Sequence, residues 1–167
     1  RVLSVEQILH RLGDRFALLT GGLRAALPRH QTLRLAIDWS FDLLTEAEQV
    51  LLRRLCAFAG RFTLVDAEGV CTSEALPVAA VLDLLASLVD KSLVMKEEVR
   101  GAARYRLHES MRAYASIKLH EASEEDLLAE RCIEHYRLTC LRSAEEARYH
   151  LVEWLAWADL EIDNLRA

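Results

Sequence analysis

Apolar residues recur at intervals of three and four along most of the chain, and only two prolines and six glycines interrupt them. That period is helical, and it predicts a mainly α protein. Ser4 can cap a first short helix over 4–12, with Val5, Ile8, Leu9 and Leu12 on one face and Gly13 closing it. Turn-rich residues at Thr20-Gly21-Gly22 and Pro28-Arg29-His30 then mark a subdomain boundary. Thr32 is placed to cap a second helix whose stripe is Leu33, Ala36, Ile37, Phe41 and Leu44, with Trp39 and Leu43 flanking it and Trp39 expected in the core. A Thr45-x-x-Glu48 capping box precedes Val50, Leu51, Leu52 and Leu55, and Gly60 ends that helix. Thr63 starts a short helix to Val70, and Pro77 stands at the first turn of another over 78–89. This last helix is apolar over more than half its circumference, which predicts burial on more than one side.

Past it the period changes. Two extended runs, 92–97 and 103–108, flank a polar loop at Glu98-Val99-Arg100-Gly101 and predict a β-hairpin. Three or four helices followed by a hairpin is the winged-helix order. Long helical patterns return over 109–122, over 123–148 with Ser123-Glu124-Glu125-Asp126 as its capping box, and over 152–166. The last presents Trp154, Leu155, Ala158 and Ile162 on one face, a face that expects a partner helix, so self-association is a further expectation. The fold class expected is therefore mainly α, a winged-helix domain with helical segments on either side.

Composition narrows the function. Of 167 residues, 52% are hydrophobic and 28% charged, enough apolar side chain for a core. The formal net charge of -5 argues against a strongly basic binder of polyanions. Charge is also uneven: residues 1–31 hold 5 basic against 2 acidic side chains, 32–108 hold 9 against 11, and 109–167 hold 7 against 13. An acidic helical end repels phosphate backbones and suits protein contacts. No apolar run approaches the roughly 20 residues that span a bilayer. The start at Arg1, with no initiator Met and no signal core, is expected of a segment of a longer cytoplasmic protein. Cys56, Cys71, Cys132 and Cys140 lack the close pairs of a zinc site and are expected as free thiols, with no metal bound. No serine sits in a nucleophile elbow, and no G-x-x-x-x-G-K-[ST] occurs, so the segment is not expected to be an enzyme.

A resemblance becomes specific at Arg15-Phe16-Ala17-Leu18-Leu19-Thr20-Gly21-Gly22, at Pro28-Arg29-His30-Gln31-Thr32-Leu33-Arg34 and at Ile37-Asp38-Trp39-Ser40-Phe41-Asp42-Leu43-Leu44. It continues through Leu52-Arg53-Arg54-Leu55-Cys56-Ala57-Phe58-Ala59-Gly60-Arg61-Phe62, through Leu84-Leu85-Ala86-Ser87-Leu88-Val89-Asp90-Lys91-Ser92-Leu93-Val94 and through Arg104-Tyr105-Arg106-Leu107-His108-Glu109. These stretches resemble the bacterial predicted-ATPase regulators of the STAND class, relatives of NB-ARC ATPases that are often fused to LuxR-type output domains. The resemblance implies the order P-loop domain, small helical domain, winged helix, helical or TPR-like repeats. Residues 1–28 are then the tail of the small helical domain, 29–108 the winged helix, and 109–167 a helical linker and the start of the repeats. It implies ADP or ATP with Mg²⁺ in the parent and no cofactor in this fragment. The partners it implies are the upstream P-loop domain and the downstream repeats of the same chain.

Leu107-His108-Glu109 stands where NB-ARC relatives carry Met-His-Asp, with Glu replacing Asp. There the resemblance implies that His108 senses the β-phosphate of ADP; the other reading is that His108 ends a strand and caps the next helix. Arg29 and His30 carry the same two readings, nucleotide contact or helix capping at a junction. The function expected is a nucleotide-state-sensing, protein-interaction module of a signalling ATPase. The alternative is a DNA-binding winged helix, against which stands a third helix without Arg or Lys before Lys91. Arg100, Arg104 and Arg106 near the wing are what favours it.

Overall fold

The computed structural model describes residues 28–147 and 149–166. The helix expected over 4–12 and the Gly21-Gly22 turn lie outside them. Two compact units, 1–44 and 45–167, divide the chain. In the first, helix α1 spans Pro28–Asp42. Thr32 therefore lies inside α1 and does not cap it; Pro28, whose fixed φ suits a first turn, opens the helix instead. Trp39 and Leu43 are exposed at 68% and 66%, while Phe41 and Leu44 are buried. Trp39 is thus not a core residue, because it faces away from the side that Phe41 occupies.

The second unit begins with α2, Glu46–Arg54, on the expected capping box. Thr45 Oγ1 accepts from the Glu48 N–H at 3.3 Å, and Glu48 Oε2 accepts from the Thr45 N–H at 2.8 Å. A single 3-10 turn, Leu55–Ala57, carries the chain to Phe58 and Gly60. Helix α3, Leu64–Cys71, has a second capping box, Thr63 with Asp66, and α4, Val78–Asp90, follows Pro77 as its N-cap. α2 packs against α4, and α3 against α4, around Leu51, Leu52, Leu55, Phe58, Phe62, Val81, Leu85 and Leu88, each with 1% exposure or less. Each large apolar side chain taken fully out of water contributes about 1.5–3 kcal/mol, so this cluster is the main source of stability.

α4 ends with Ser92 at φ 59°, and the Leu93 and Val94 N–H groups both donate to Leu88 O. Strand β1 is Met95–Val99 and β2 is Ala102–Arg106, antiparallel with Met95 opposite Arg106 and Val99 opposite Ala102. The loop is two residues, not the four expected. Arg100 (φ 54°) and Gly101 (φ 77°) both take positive φ, the tight hairpin turn whose twist matches the strands, so Glu98 and Val99 stay paired. Phe62 adds a one-residue bridge beside β2, exchanging backbone hydrogen bonds with Tyr105 at 2.9 and 2.8 Å.

Three helices complete the unit: α5 (Glu109–Glu121), α6 (Glu125–Ala147) and α7 (Leu151–Arg166). α5 lies on α2 and the 3-10 turn, α6 on α3, and α7 on α6. The capping box expected at Ser123 does not form. Ser123 takes φ 56° to end α5, and Glu124 opens α6, its carbonyl accepting from the Leu128 N–H at 3.0 Å. α7 docks by a polar face. Among the described residues Glu161 and Asn164 are its buried ones, while Leu155 and Ile162, on the face expected to await a partner helix, are 53% and 37% exposed.

Candidate functional site

In a winged helix the third helix and the wing are the usual contact surfaces, so their side chains decide what this unit can touch. α4 buries one side only, Val81, Leu85 and Leu88. Its expected burial on more than one side does not occur: Val78 and Leu82 are 54% and 52% exposed, and Ala79, Asp83, Ala86 and Asp90 share the solvent side. That outer surface is apolar with two carboxylates and no cation. Lys91, just past it, is turned back to the buried carboxylate of Glu48, which also accepts from Ser87 Oγ at 2.6 Å. Burial alone would push Glu48 up, but Lys91, Ser87 and Thr45 outweigh it and hold the group down to about 2.

Two of the wing's four cations are paired within the chain. Arg104, 7% exposed, is paired with Glu161 of α7, and Arg106 and Arg61 both pair with Glu97. Lys96 and Arg100 remain in solvent. At the foot of the wing, His108 occupies the N-cap of α5 with φ -60° and ψ 148°. Its side chain is exposed and makes no capping hydrogen bond, so a free imidazole stands at the positive end of a 13-residue helix. That pairing offers a donor and a dipole to an anion such as a terminal phosphate. Arg29 and His30 fall in the first turn of α1, in the other unit, and their side chains lie outside the described residues.

Three polar joints that tie the later helices to the wing domain were not legible in the sequence. Glu124 holds Arg53 and Arg54 together; Arg54 Nη2 donates to Oε1 at 2.7 Å, and Arg54 Nη1 reaches Cys71 O at 2.7 Å and Ser73 Oγ at 2.9 Å. The Arg54 guanidinium, then Arg53, against the opposing cost of burial, takes the Glu124 carboxyl down to about 2. Asp66, besides capping α3, meets His135 Nε2 of α6 at 2.8 Å, where Gly69 makes room: a Cβ on Gly69 would sit 2.4 Å from His135 Nδ1. Burial opposes ionisation of Asp66, yet His135 and Thr63 hold its carboxyl below the usual range. At the third joint, Asn164 Oδ1 accepts from the Gly60 N–H at 2.8 Å, and Tyr136 Oη donates to Glu161 Oε2 at 3.3 Å. Gly60 and the Thr63-x-x-Asp66 spacing were the only sequence signals.

The four cysteines are free thiols. Cys71 is buried; burial pushes Cys56 and Cys132 up to about 11 and Cys71 higher still, so all three stay protonated and poorly nucleophilic. Among the described residues no group of three or more His, Cys, Asp or Glu is arranged to hold a metal ion. Among the described residues no helix is long and apolar enough to cross a membrane.

Helices α2 to α4, the β1–β2 hairpin and the bridge at Phe62 form a winged-helix fold with further helices after it. Residues 44–120 match the family described as winged helix-turn-helix domain. Over all 167 residues the chain is 44% identical to "Putative HTH-type transcriptional regulator Rv0890c" of Mycobacterium tuberculosis and, equally, to "Putative HTH-type transcriptional regulator Mb0914c" of Mycobacterium bovis. It covers 19% of each of those proteins, about a fifth of their length. It is also 41% identical over 136 residues, 81% of this chain, to "Uncharacterized protein Rv0894" of Mycobacterium tuberculosis, of which it covers 35%. No solved structure matches the chain.

Proposed function

We propose that this chain is a regulatory protein-interaction module of a larger transcription regulator, and that within the parent it reads the nucleotide state of a P-loop domain. The observation that carries the reading is the outer face of α4: Val78, Ala79, Leu82 and Ala86 with Asp83 and Asp90, at the position where a DNA reader needs polar and basic side chains. Two exposed carboxylates would meet phosphate with repulsion, whereas a mixed apolar and acidic helix face suits a protein surface. The free imidazole of His108 at the N-terminus of α5 supports the finer reading, because one N–H and the helix dipole are what an ADP phosphate oxygen needs. The nucleotide itself, with Mg²⁺, belongs to the P-loop domain of the parent, since this chain has no phosphate-cradling loop. In this two-state scheme the ADP form holds the winged helix closed, and exchange to ATP releases it.

The test is adenine nucleotide retained by the complete parent, wild type against His108→Ala, measured by denaturing the purified protein and quantifying released ADP. Wild type is expected to carry ADP and the variant to lose it; equal retention would remove His108 from the scheme.

A second reading, direct DNA binding, is favoured by the winged helix-turn-helix match and by the names of the relatives. A gel shift with the 167-residue chain separates the two. Weak or absent binding is expected, and tight binding that weakens steeply with salt would reverse the ranking.

A further inference from the structure

Three guanidiniums share one face of the wing. Phe62 pairs and stacks with Tyr105, so Arg61 lies on the side away from both rings, and so do Arg104 and Arg106, one residue either side of Tyr105. Arg61 and Arg106 both reach Glu97 and keep side-chain exposures of 44% and 39%, whereas Arg104, held by Glu161 of α7, keeps 9%. With Lys96 and Arg100 these three stand against Glu97 and Glu98, a net charge of +3. Docking of α7 adds Glu161 on Arg104 and Asp163 against Gly60 and lowers it to +1.

The cover is fastened by polar groups. Glu161 Oε2 accepts from Tyr136 Oη at 3.3 Å and from Asn164 Nδ2 at 3.0 Å, and Asn164 Oδ1 accepts from the Gly60 N–H at 2.8 Å. The attraction within a buried ion pair is offset by the cost of taking both charges out of water, so such a joint adds little net stability to the docked state. It is also incompletely satisfied. Among the described residues the buried side-chain polar atoms without a hydrogen-bond partner are Arg104 Nε and Trp154 Nε1, and Trp154 stands two turns before Glu161 on the same side of α7. A buried donor without an acceptor favours the undocked state, in which water serves it. Leu151 and Leu155 are more than half exposed while α7 is docked, so its release uncovers little more of them.

We infer that α7 is a releasable strap over a phosphate-binding face of the wing. Docked, its Glu161 occupies the Arg104 fork; released, it leaves Arg61, Arg104 and Arg106 to the backbone phosphates of a nucleic-acid duplex. One set of guanidinium N–H groups cannot serve the carboxylate and a phosphate together, so docking and binding oppose each other reciprocally. Guanidiniums on a hairpin meet phosphate oxygens as forked donors and read no bases, so the contact is independent of sequence. The inference goes beyond both readings above: the intact, strapped chain is still expected to bind DNA weakly, and ADP retention by the parent does not depend on it.

The experiment uses the 167-residue chain and a labelled duplex of about 20 base pairs, followed by fluorescence anisotropy at about 50 mM salt. Gly60→Ala frees the strap without touching a charge: its Cβ would stand 2.9 Å from Asp163 Cβ, and the φ of Gly60 is not positive, so the strain falls on that contact. Asn164→Ala frees it by a second route, through the lost bonds to Gly60 and Glu161. Hydrogen exchange read by mass spectrometry is expected to quicken over 151–166 in both variants and to stay unchanged over 46–106. Both are expected to bind the duplex about tenfold or more tightly than wild type, with affinity falling steeply as salt rises, and Arg104→Gln added to either is expected to remove the gain. Exchange in α7 that neither variant quickens, faster exchange with no gain in binding, or a gain that survives Arg104→Gln would each overturn the proposal. So would displacement of the duplex by polyglutamate at equal charge, which would make the partner an acidic protein.

Discussion

Replacing Glu124 with Gln keeps the shape of the side chain and removes its charge, and the consequence can be worked from the geometry. The carboxylate accepts two hydrogen bonds from Arg53, at 3.0 and 3.2 Å, and two from Arg54, at 3.1 and 2.7 Å. Arg54's side chain is 8% exposed and Glu124's 19%, so the variant leaves a nearly buried guanidinium without its counter-charge. A fall of the carboxyl from 4.5 to about 2 corresponds to about 3 kcal/mol at about 1.4 kcal/mol per tenfold change. Screening at the exposed rim of the pair reduces this to about 2 kcal/mol. Because the folded-state value is the lower one, the stabilisation is complete above pH 4.5 and is lost as pH falls towards 2. Urea unfolding followed by far-ultraviolet circular dichroism should show wild type more stable than Glu124→Gln by about 2 kcal/mol at pH 7, with the gap shrinking to under about 1 kcal/mol near pH 2.5. A gap below about half a kcal/mol at pH 7, or one that does not change between pH 5 and 2.5, would refute the reasoning. Acid sensitivity should persist in the variant, because Glu48 is also held down to about 2.

Two further outcomes follow from the other joints. Gly69→Ala should cost about 2–3 kcal/mol in chemical denaturation, since its Cβ would stand 2.4 Å from His135 Nδ1, whereas the same substitution made in a His135→Ala chain should cost under about 1 kcal/mol relative to that chain. Glu161→Ala should cost about 3–5 kcal/mol by stranding Arg104 at 7% exposure, whereas the Arg104→Met, Glu161→Leu pair should unfold within about 1–2 kcal/mol of wild type. If the single and double variants were equally unstable, the buried charge would not be the cause.

The sequence on its own determined the local elements. The Thr45 and Thr63 starts, Pro77, the change from a helical to an alternating period near Met95 and the return to helix after His108 all appear in the fold. These are properties of neighbouring residues: a cap or a period acts within a few positions and is written there. The winged-helix order was legible for the same reason. Hydrophobicity alone did not tell which apolar residues go inside, and Trp39 and Leu82 came out exposed although their segments read as core.

What only the tertiary structure decided was the use of the charged residues. Glu124 read only as a helix-opening acid and is also the clamp on Arg53 and Arg54, 71 and 70 positions away. Arg104 and Arg106 read as wing cations available to phosphate and are instead paired with Glu161 and Glu97. Glu161, off the apolar face read for α7, is among its most buried described residues. A charge has no period and no local partner that a linear reading can find. Its effect is set by distance through space and by how much water remains around it, and both exist only once the chain has closed on itself.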